Sequence, residues 1–105
     1  MAVKIDIEKL IKDTVIQIAP EATVILYGSM ARGDFNENSD VDILILLNKD
    51  IVTMEDEKRV KYPLYDIEFE IGKIISPLVL SKSVWESKHK ITPFYQNVMR
   101  EGIVL

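Results

Sequence analysis

The 105-residue chain contains no cysteine and a single histidine, His89. Without cysteine it has no disulfide framework, no thiolate metal site and no Cys nucleophile. One histidine cannot build a His-rich zinc site. The longest apolar run, residues 43–47, is far too short to cross a membrane, and the N-terminus does not have the pattern of a signal peptide. We therefore expect a cytoplasmic protein whose chemistry relies on oxygen ligands.

The charge is mildly acidic. Lys and Arg number 13 and Asp and Glu number 17, so the net charge is −4. This balance argues against an extended nucleic-acid surface, which would need a basic face. The hydrophobic fraction is 48%, which is typical of a globular protein, and the length predicts one domain over residues 1–105.

Hydrophobic spacing predicts the order of the elements. We expect helices over residues 6–19, 53–71, 83–88 and 92–101, strands over 22–27, 40–47 and 74–80, and a short strand or a docked end at 103–105. Pro63 falls inside the long helix and should kink it or split it in two. Pro77 favours an edge position for the third long strand. Beyond Asp42 the second strand is apolar on both faces, as in a central strand.

Two carboxylates stand at the start of that central strand. Asp40 and Asp42 are two residues apart, so both side chains point to the same face. Carboxylates placed this way repel each other unless a positive charge lies between them. A hard divalent cation such as Mg²⁺, held by one or two carboxylates and by substrate phosphates, is the natural occupant.

A seat for phosphates precedes these carboxylates. The first strand ends at Gly28, and a helical turn after Ser29 would present free backbone N–H groups to an anion. Gly28 allows a close backbone approach, Ser29 adds a hydroxyl, and Arg32 could reach a phosphate. A salt bridge from Arg32 to Asp34 or Glu37 is the alternative. The combination indicates metal-assisted transfer of a nucleotidyl or phosphoryl group.

The segment resembles the signature of the DNA polymerase β-like nucleotidyltransferase superfamily, in its minimal nucleotidyltransferase branch. The pattern is Gly-Ser-x-Ala-Arg-Gly, five residues, then Ser-Asp-x-Asp, and it falls here on Gly28, Ser29, Ala31, Arg32, Gly33, Ser39, Asp40 and Asp42. The resemblance implies an α+β fold, with a mixed sheet of three to four strands and helices packed mainly on one side. It also implies that Gly28 and Ser29 hold the phosphates of ATP or another nucleoside triphosphate, and that Asp40 and Asp42 bind Mg²⁺.

The same family uses a third carboxylate on the strand after the long helix. In this chain Ser76 falls at or near that position. Asp66, Glu68 and Glu70 are the nearest acids upstream, so either residues 66–71 form the strand or the third ligand is missing. A missing ligand would leave the two-metal site incomplete and put turnover in doubt more than nucleotide binding.

Two functions therefore stay open. The first is transfer of a nucleoside monophosphate to a hydroxyl acceptor, in the manner of the antitoxin-type protein adenylyltransferases that the resemblance pairs with a helical HEPN-type toxin. The second is a catalytically impaired nucleotide- and metal-binding module that acts by binding a partner protein. The pattern does not identify the acceptor or the base.

One apolar face of the long helix also has two interpretations. Tyr62, Tyr65 and Phe69 lie opposite its Val60 stripe. They pack beneath Trp85 and its aromatic neighbours Phe94 and Tyr95, or they form an interface with a partner or a second copy, giving a homodimer.

Overall fold

The computed structural model describes residues 6–33 and 39–105. The elements follow in the order α1 (Ile7–Ile18), β1 (Thr23–Tyr27), α2 (Ser29–Arg32), β2 (Val41–Leu47), α3 (Met54–Ile71), β3 (Ile75–Ser81), α4 (Lys82–Ser87), α5 (Pro93–Glu101) and β4 (Ile103–Val104). Each long element lies within a residue or two of its predicted bounds. Among the described residues, no helix has the length and apolar character needed to span a membrane.

The four strands form one mixed sheet in the order β3-β2-β1-β4. Strand β1 is antiparallel to both β2 and β4, whereas β2 and β3 run parallel. The parallel pair needs a crossover, and the long helix α3 supplies it. Strand β3 lies at the edge, as Pro77 predicted. The expected α+β fold with a mixed sheet is confirmed.

Strand β2 is central, and both of its faces are covered. Ile43 and Ile45 point into the larger apolar cluster, which also contains buried residues of α1 and α3. Leu44 and Leu46 point the other way, into a smaller cluster around Trp85. This arrangement explains why the β2 sequence is apolar at successive positions. The larger cluster makes the α1 and α3 side the main helical layer.

Helix α3 is continuous through Pro63, so of the two effects expected of this proline, a kink or a split, the split is wrong. The ends are strongly specified: Thr53 forms a capping box with Asp56, and Gly72 closes the helix in the left-handed conformation. Burial of the core-facing residues Val60 and Leu64 further offsets the hydrogen bond that Pro63 cannot make. Because α3 extends to Ile71, residues 66–71 are helical and the strand interpretation of that segment is wrong.

Candidate active site

The site begins where β1 turns into α2. Gly28 has φ +76° and ψ −158°, a combination that only glycine adopts without strain. Its carbonyl accepts a hydrogen bond from the Arg32 N–H at 3.1 Å, which starts the helical turn predicted after Ser29. Gly33 ends this turn in the left-handed conformation, and its N–H bonds the Ser29 carbonyl. Ser29 is thus the first residue of α2, separated from the end of β1 only by Gly28.

The carboxylate of Asp42 lies against Gly28. Tyr27, the last residue of β1, pairs with Asp42 in the antiparallel ladder, which brings the Asp42 side chain to the glycine that follows. A Cβ added at Gly28 would lie 2.3 Å from Asp42 Oδ2, closer than real side chains allow. A side chain at position 28 and the present position of the Asp42 carboxylate are therefore incompatible.

Burial raises the pKa of the Asp42 carboxyl, and the charge of Asp40 raises it further, while Arg32 lowers it. Burial also raises the pKa of the neighbouring Tyr27 phenol, with a smaller contribution from Asp42. The Asp42 carboxylate thus stands where negative charge is unfavourable. Such a donor set fits a hard divalent cation, since Mg²⁺ takes one or two carboxylates and completes its shell with water and phosphate.

Ser76 occupies the position beside Asp42 on the next strand. The parallel register pairs these two residues, and neighbouring strands lie about 4.8 Å apart, so in-register side chains share one face. Tyr27, Asp42 and Ser76 consequently form one row across three strands. A hydroxyl stands on each side of the carboxylate in this row.

The acids considered as a third ligand lie on α3. Asp66, Glu68 and Glu70 are all helical, and the Glu68 Oε1 accepts a hydrogen bond from the Ile75 N–H at 3.1 Å. Over residues 6–33 and 39–105, no three His, Cys, Asp or Glu side chains are arranged to hold a metal ion. Within that range the site offers two carboxylates, on residues 40 and 42.

Arg32 forms an ion pair with Glu101 of α5, with Nη1 3.5 Å from Oε2. Asp34 and Glu37, which were considered as its partners, lie outside the described residues. Ser39 is half-buried and Asp40 exposed, so the start of β2 opens to solvent. The sequence did not indicate Glu101, because this contact spans most of the chain.

A cavity of about 370 Å³ lies at the other end of β2. Its wall includes Lys49, whose Nζ is 2.8 Å from both carboxylate oxygens of Asp56. Arg59 also contacts this buried carboxylate at 3.3 Å. The hydrogen bonds from Lys49 and Thr53 hold the pKa of Asp56 at about 2, against its ordinary value of 3.8. Asp56 is thus paired with Lys49 and Arg59, and we assign this ionic cluster to the stability of the fold rather than to the site.

Comparisons with known proteins extend these observations. Residues 8–104 match the model of the nucleotidyltransferase domain family. A curated candidate protein adenylyltransferase of Methanocaldococcus jannaschii is 38% identical over 82 residues, which cover 77% of this chain and 75% of that protein.

Two solved structures are similar in fold. A candidate minimal nucleotidyltransferase superposes with a TM-score of 0.59 at 26% identity, covering 99% of this chain and 100% of that one. A toxin-antitoxin crystallised with AMP-PNP gives a TM-score of 0.61 at 19% identity, covering 95% and 72% of the two chains. At that identity the second likeness concerns the fold alone.

Proposed function

We propose, from the premise that this chain belongs to the nucleotidyltransferase domain family, that it transfers a nucleoside monophosphate from a nucleoside triphosphate to a hydroxyl group of an acceptor protein. The family membership confirms the resemblance on which the sequence interpretation rested. The observation that carries the proposal is the Asp42 carboxylate held against Gly28, because it joins the two halves of the motif in space.

The carboxylates and the glycine turn have separate roles in this proposal. Gly28 and Ser29 hold the β- and γ-phosphates, while Asp40 and Asp42 hold Mg²⁺. Bound Mg²⁺ would supply positive charge to the phosphates as charge develops in the transition state. The acceptor oxygen forms its bond to the α-phosphorus while the bond to pyrophosphate breaks, and the acceptor proton passes to solvent.

The polar residues around this centre have supporting roles. Arg32 lies near enough to lower the pKa of Asp42, so its charge can stabilise bound phosphate while Glu101 orients the guanidinium. Ser39 borders the metal-binding pair and contributes a hydroxyl to the nucleotide site. We assign ATP as the donor, since the toxin-antitoxin neighbour was crystallised with an ATP analogue.

A protein acceptor is supported by the name of the M. jannaschii relative, a candidate protein adenylyltransferase. The toxin-antitoxin neighbour supports an antitoxin-type role, and the resemblance in the sequence motif is our ground for proposing a helical HEPN-type partner as acceptor. Such a reaction belongs in the cytoplasm, where Mg²⁺ and nucleoside triphosphates are available. A homodimer is a further proposed association.

The test is label transfer from α-labelled ATP with Mg²⁺ to the purified protein encoded by the neighbouring gene. We expect the label to appear on the acceptor, γ-labelled ATP to leave none, and Asp42→Asn to abolish transfer. The Asp13→Asn variant is the matched control, since it removes an exposed carboxylate of α1, outside the site, whose ion pair with Lys9 contributes little to stability. Transfer by Asp42→Asn at the wild-type rate would refute the proposal.

Ser76 favours a second candidate function. A hydroxyl in register with Asp42 replaces the third carboxylate of the family and weakens a two-metal site. In this alternative the chain binds ATP·Mg²⁺ without turnover and acts by holding its partner. Calorimetry separates the two functions: binding without label transfer, with activity gained in Ser76→Asp, supports the binding module, and the absence of binding contradicts both.

A further inference from the structure

The face of α3 turned away from the sheet carries four exposed apolar side chains. Met54 is 71% exposed, Tyr62 57%, Tyr65 42% and Phe69 91%. We call these four residues the outer stripe. With Lys58 they recur at intervals of three and four residues, which places them in one line along the helix. The buried residues of α3, among them Val60 and Leu64, occupy the opposite face.

This exposure corrects one prediction. The aromatic residues of α3 do not pack beneath Trp85, which instead contacts Phe94 and Tyr95 in the cluster on the other side of the sheet. Within the outer stripe, the Tyr62 and Tyr65 rings contact each other at 6.5 Å between centroids. The outer stripe thus contains one aromatic contact of its own, and no other part of the described chain covers it. Packing within the described chain therefore does not explain why this face is apolar.

The exposed area of the outer stripe is close to what a weak interface requires. A fully exposed large side chain contributes about 200 Å², so the four exposed fractions correspond to roughly 500 Å² per copy. This is comparable with the largest apolar patch of a typical monomer, about 300–600 Å², which is often a functional surface. Two such stripes facing each other would bury roughly 1,000 Å², which is the lower limit for a specific protein interface.

The exposed charges Lys58, Arg59 and Asp66 favour an antiparallel pair of copies over a parallel one, although the exposed acids Glu55 and Glu70 of the same flank would face each other in that pair. Lys58 and Arg59 lie in the first half of the helix, and Asp66 lies in the second half on the same side as Arg59. When two copies of α3 pair antiparallel, the same flank of each helix faces the other, so Asp66 of one copy meets Lys58 and Arg59 of the second. A parallel pair would instead place the two Lys58 side chains against each other.

Arg59 is able to contact Asp66 of a second copy without leaving Asp56 unpaired. Its side chain is 65% exposed, and the buried Asp56 that it contacts also holds Lys49 at 2.8 Å. Within one copy, Arg59 is thus the more distant of two cations on Asp56. An added contact with Asp66 of a second copy leaves Asp56 neutralised by Lys49.

We propose that the outer stripe is the contact surface of a symmetric antiparallel dimer of this chain, with the two-fold axis near Tyr62. This inference does not depend on the proposed function. The stripe lies on the outer side of α3, whereas Asp42 and Ser76 face the opposite side of the sheet. Dimerisation by this surface leaves the candidate active site open to nucleotide and acceptor.

The absence of cysteine allows a direct test by single-cysteine cross-linking of the full chain. The two copies of residue 62 lie at the axis, within reach of a disulfide. The copies of residue 58 are separated by at least about 12 Å along the helix, at 1.5 Å per residue. Under mild oxidation we expect Tyr62→Cys to form a covalent dimer and Lys58→Cys to remain monomeric.

Sedimentation velocity over a wide concentration series supplies the second measurement. The wild type should show a reversible monomer–dimer equilibrium, and Phe69→Glu should raise its dissociation constant about tenfold or more, since aromatic anchors dominate interface energies. Ile91→Glu is the matched control, because Ile91 is 85% exposed outside the stripe, and it should dimerise like the wild type. Thermal melts verify that each variant is folded.

Each other outcome overturns the proposal. A wild type that stays monomeric at every concentration leaves the stripe to a different partner. Equal cross-linking at positions 58 and 62 indicates a parallel pair or random collision, and a dimer indifferent to Phe69→Glu uses another surface. Label transfer by a chain that stays monomeric at every concentration would retain the proposed function while refuting the dimer.

Discussion

Replacing Gly28 by alanine tests whether this glycine is required for the position of the Asp42 carboxylate. The backbone at Gly28, with φ +76° and ψ −158°, lies in a region that costs a residue with a side chain about 1–3 kcal/mol. The new Cβ would also stand 2.3 Å from Asp42 Oδ2, so the carboxylate or the turn must move. We expect the free energy of unfolding to fall by about 2–3 kcal/mol, which lowers Tm by roughly 10–15 °C.

Gly33→Ala provides the matched control. Gly33 also has positive φ, at +81°, but an added Cβ meets no atom of the described residues within 4 Å. Its substitution should therefore cost only the left-handed strain of about 1–2 kcal/mol, or roughly 5–10 °C. Thermal and urea unfolding measure the stabilities, and calorimetry with ATP·Mg²⁺ should show that only Gly28→Ala loses affinity.

A double-mutant cycle isolates the contact itself. In an Asp42→Ala background the clashing oxygen is absent, so Gly28→Ala should lose only its backbone strain. We expect a coupling free energy of about 1 kcal/mol or more between the two positions. If Gly28→Ala costs the same in both backgrounds, or no more than Gly33→Ala, the reasoning is refuted.

Three further predictions concern charge and helix continuity. Burial and Asp40 raise the pKa of Asp42 in the folded state, so protonation of Asp42 favours the folded state fully below pH 3.8 and this contribution is lost as pH rises through the folded pKa. In Mg²⁺-free thermal melts, the stability of Asp42→Asn relative to the wild type should therefore increase with pH. A difference that does not change with pH would contradict this. The pKa of Asp56 is lowered to about 2, mainly by Lys49, so the ionised carboxylate stabilises the fold above pH 3.8 and this stabilisation is lost as pH falls through 2. Asp56→Asn should therefore be less stable than the wild type at neutral pH, and in acid titrations of unfolding this difference should disappear between pH 3.8 and 2. Pro63→Ala should raise the free energy of unfolding in urea by about 2 kcal/mol, because the gain from removing an interior helix proline exceeds the cost of the higher entropy of the unfolded chain. A loss of stability would contradict this prediction.

The fold was predictable where its signals are local. Asp6, Thr53 and Thr92 each cap a helix through a side-chain oxygen, and Gly72 ends α3 with positive φ. These helices accordingly begin and end within a residue or two of their predicted bounds. The expectation that Pro63 could split α3 is wrong for the opposite reason. The local penalty of this proline is offset by packing of the helix on the sheet, which no local pattern reports.

The candidate site divides in the same way. The proximity of Gly28 and Asp42 could be predicted because their motif is contiguous and its two flanking strands are neighbours. Glu101 could not, since its contact with Arg32 depends on how α5 returns to the sheet. The exposure of Phe69 was also unpredictable, because helical periodicity shows that a face is apolar without showing what lies against it.

The antiparallel pairing of β1 with β2 has a consequence for how the molecule folds. Gly28 and Asp42 lie on adjacent strands close in sequence, so the contact between them closes a short loop. Ser76 reaches Asp42 only after the α3 crossover has brought β3 alongside β2, which closes a much longer one. Contacts of short sequence separation form faster than distant ones. We therefore expect the contact between Gly28 and Asp42 to form early in folding, and the pairing of Ser76 with Asp42 to follow when the edge strand β3 docks.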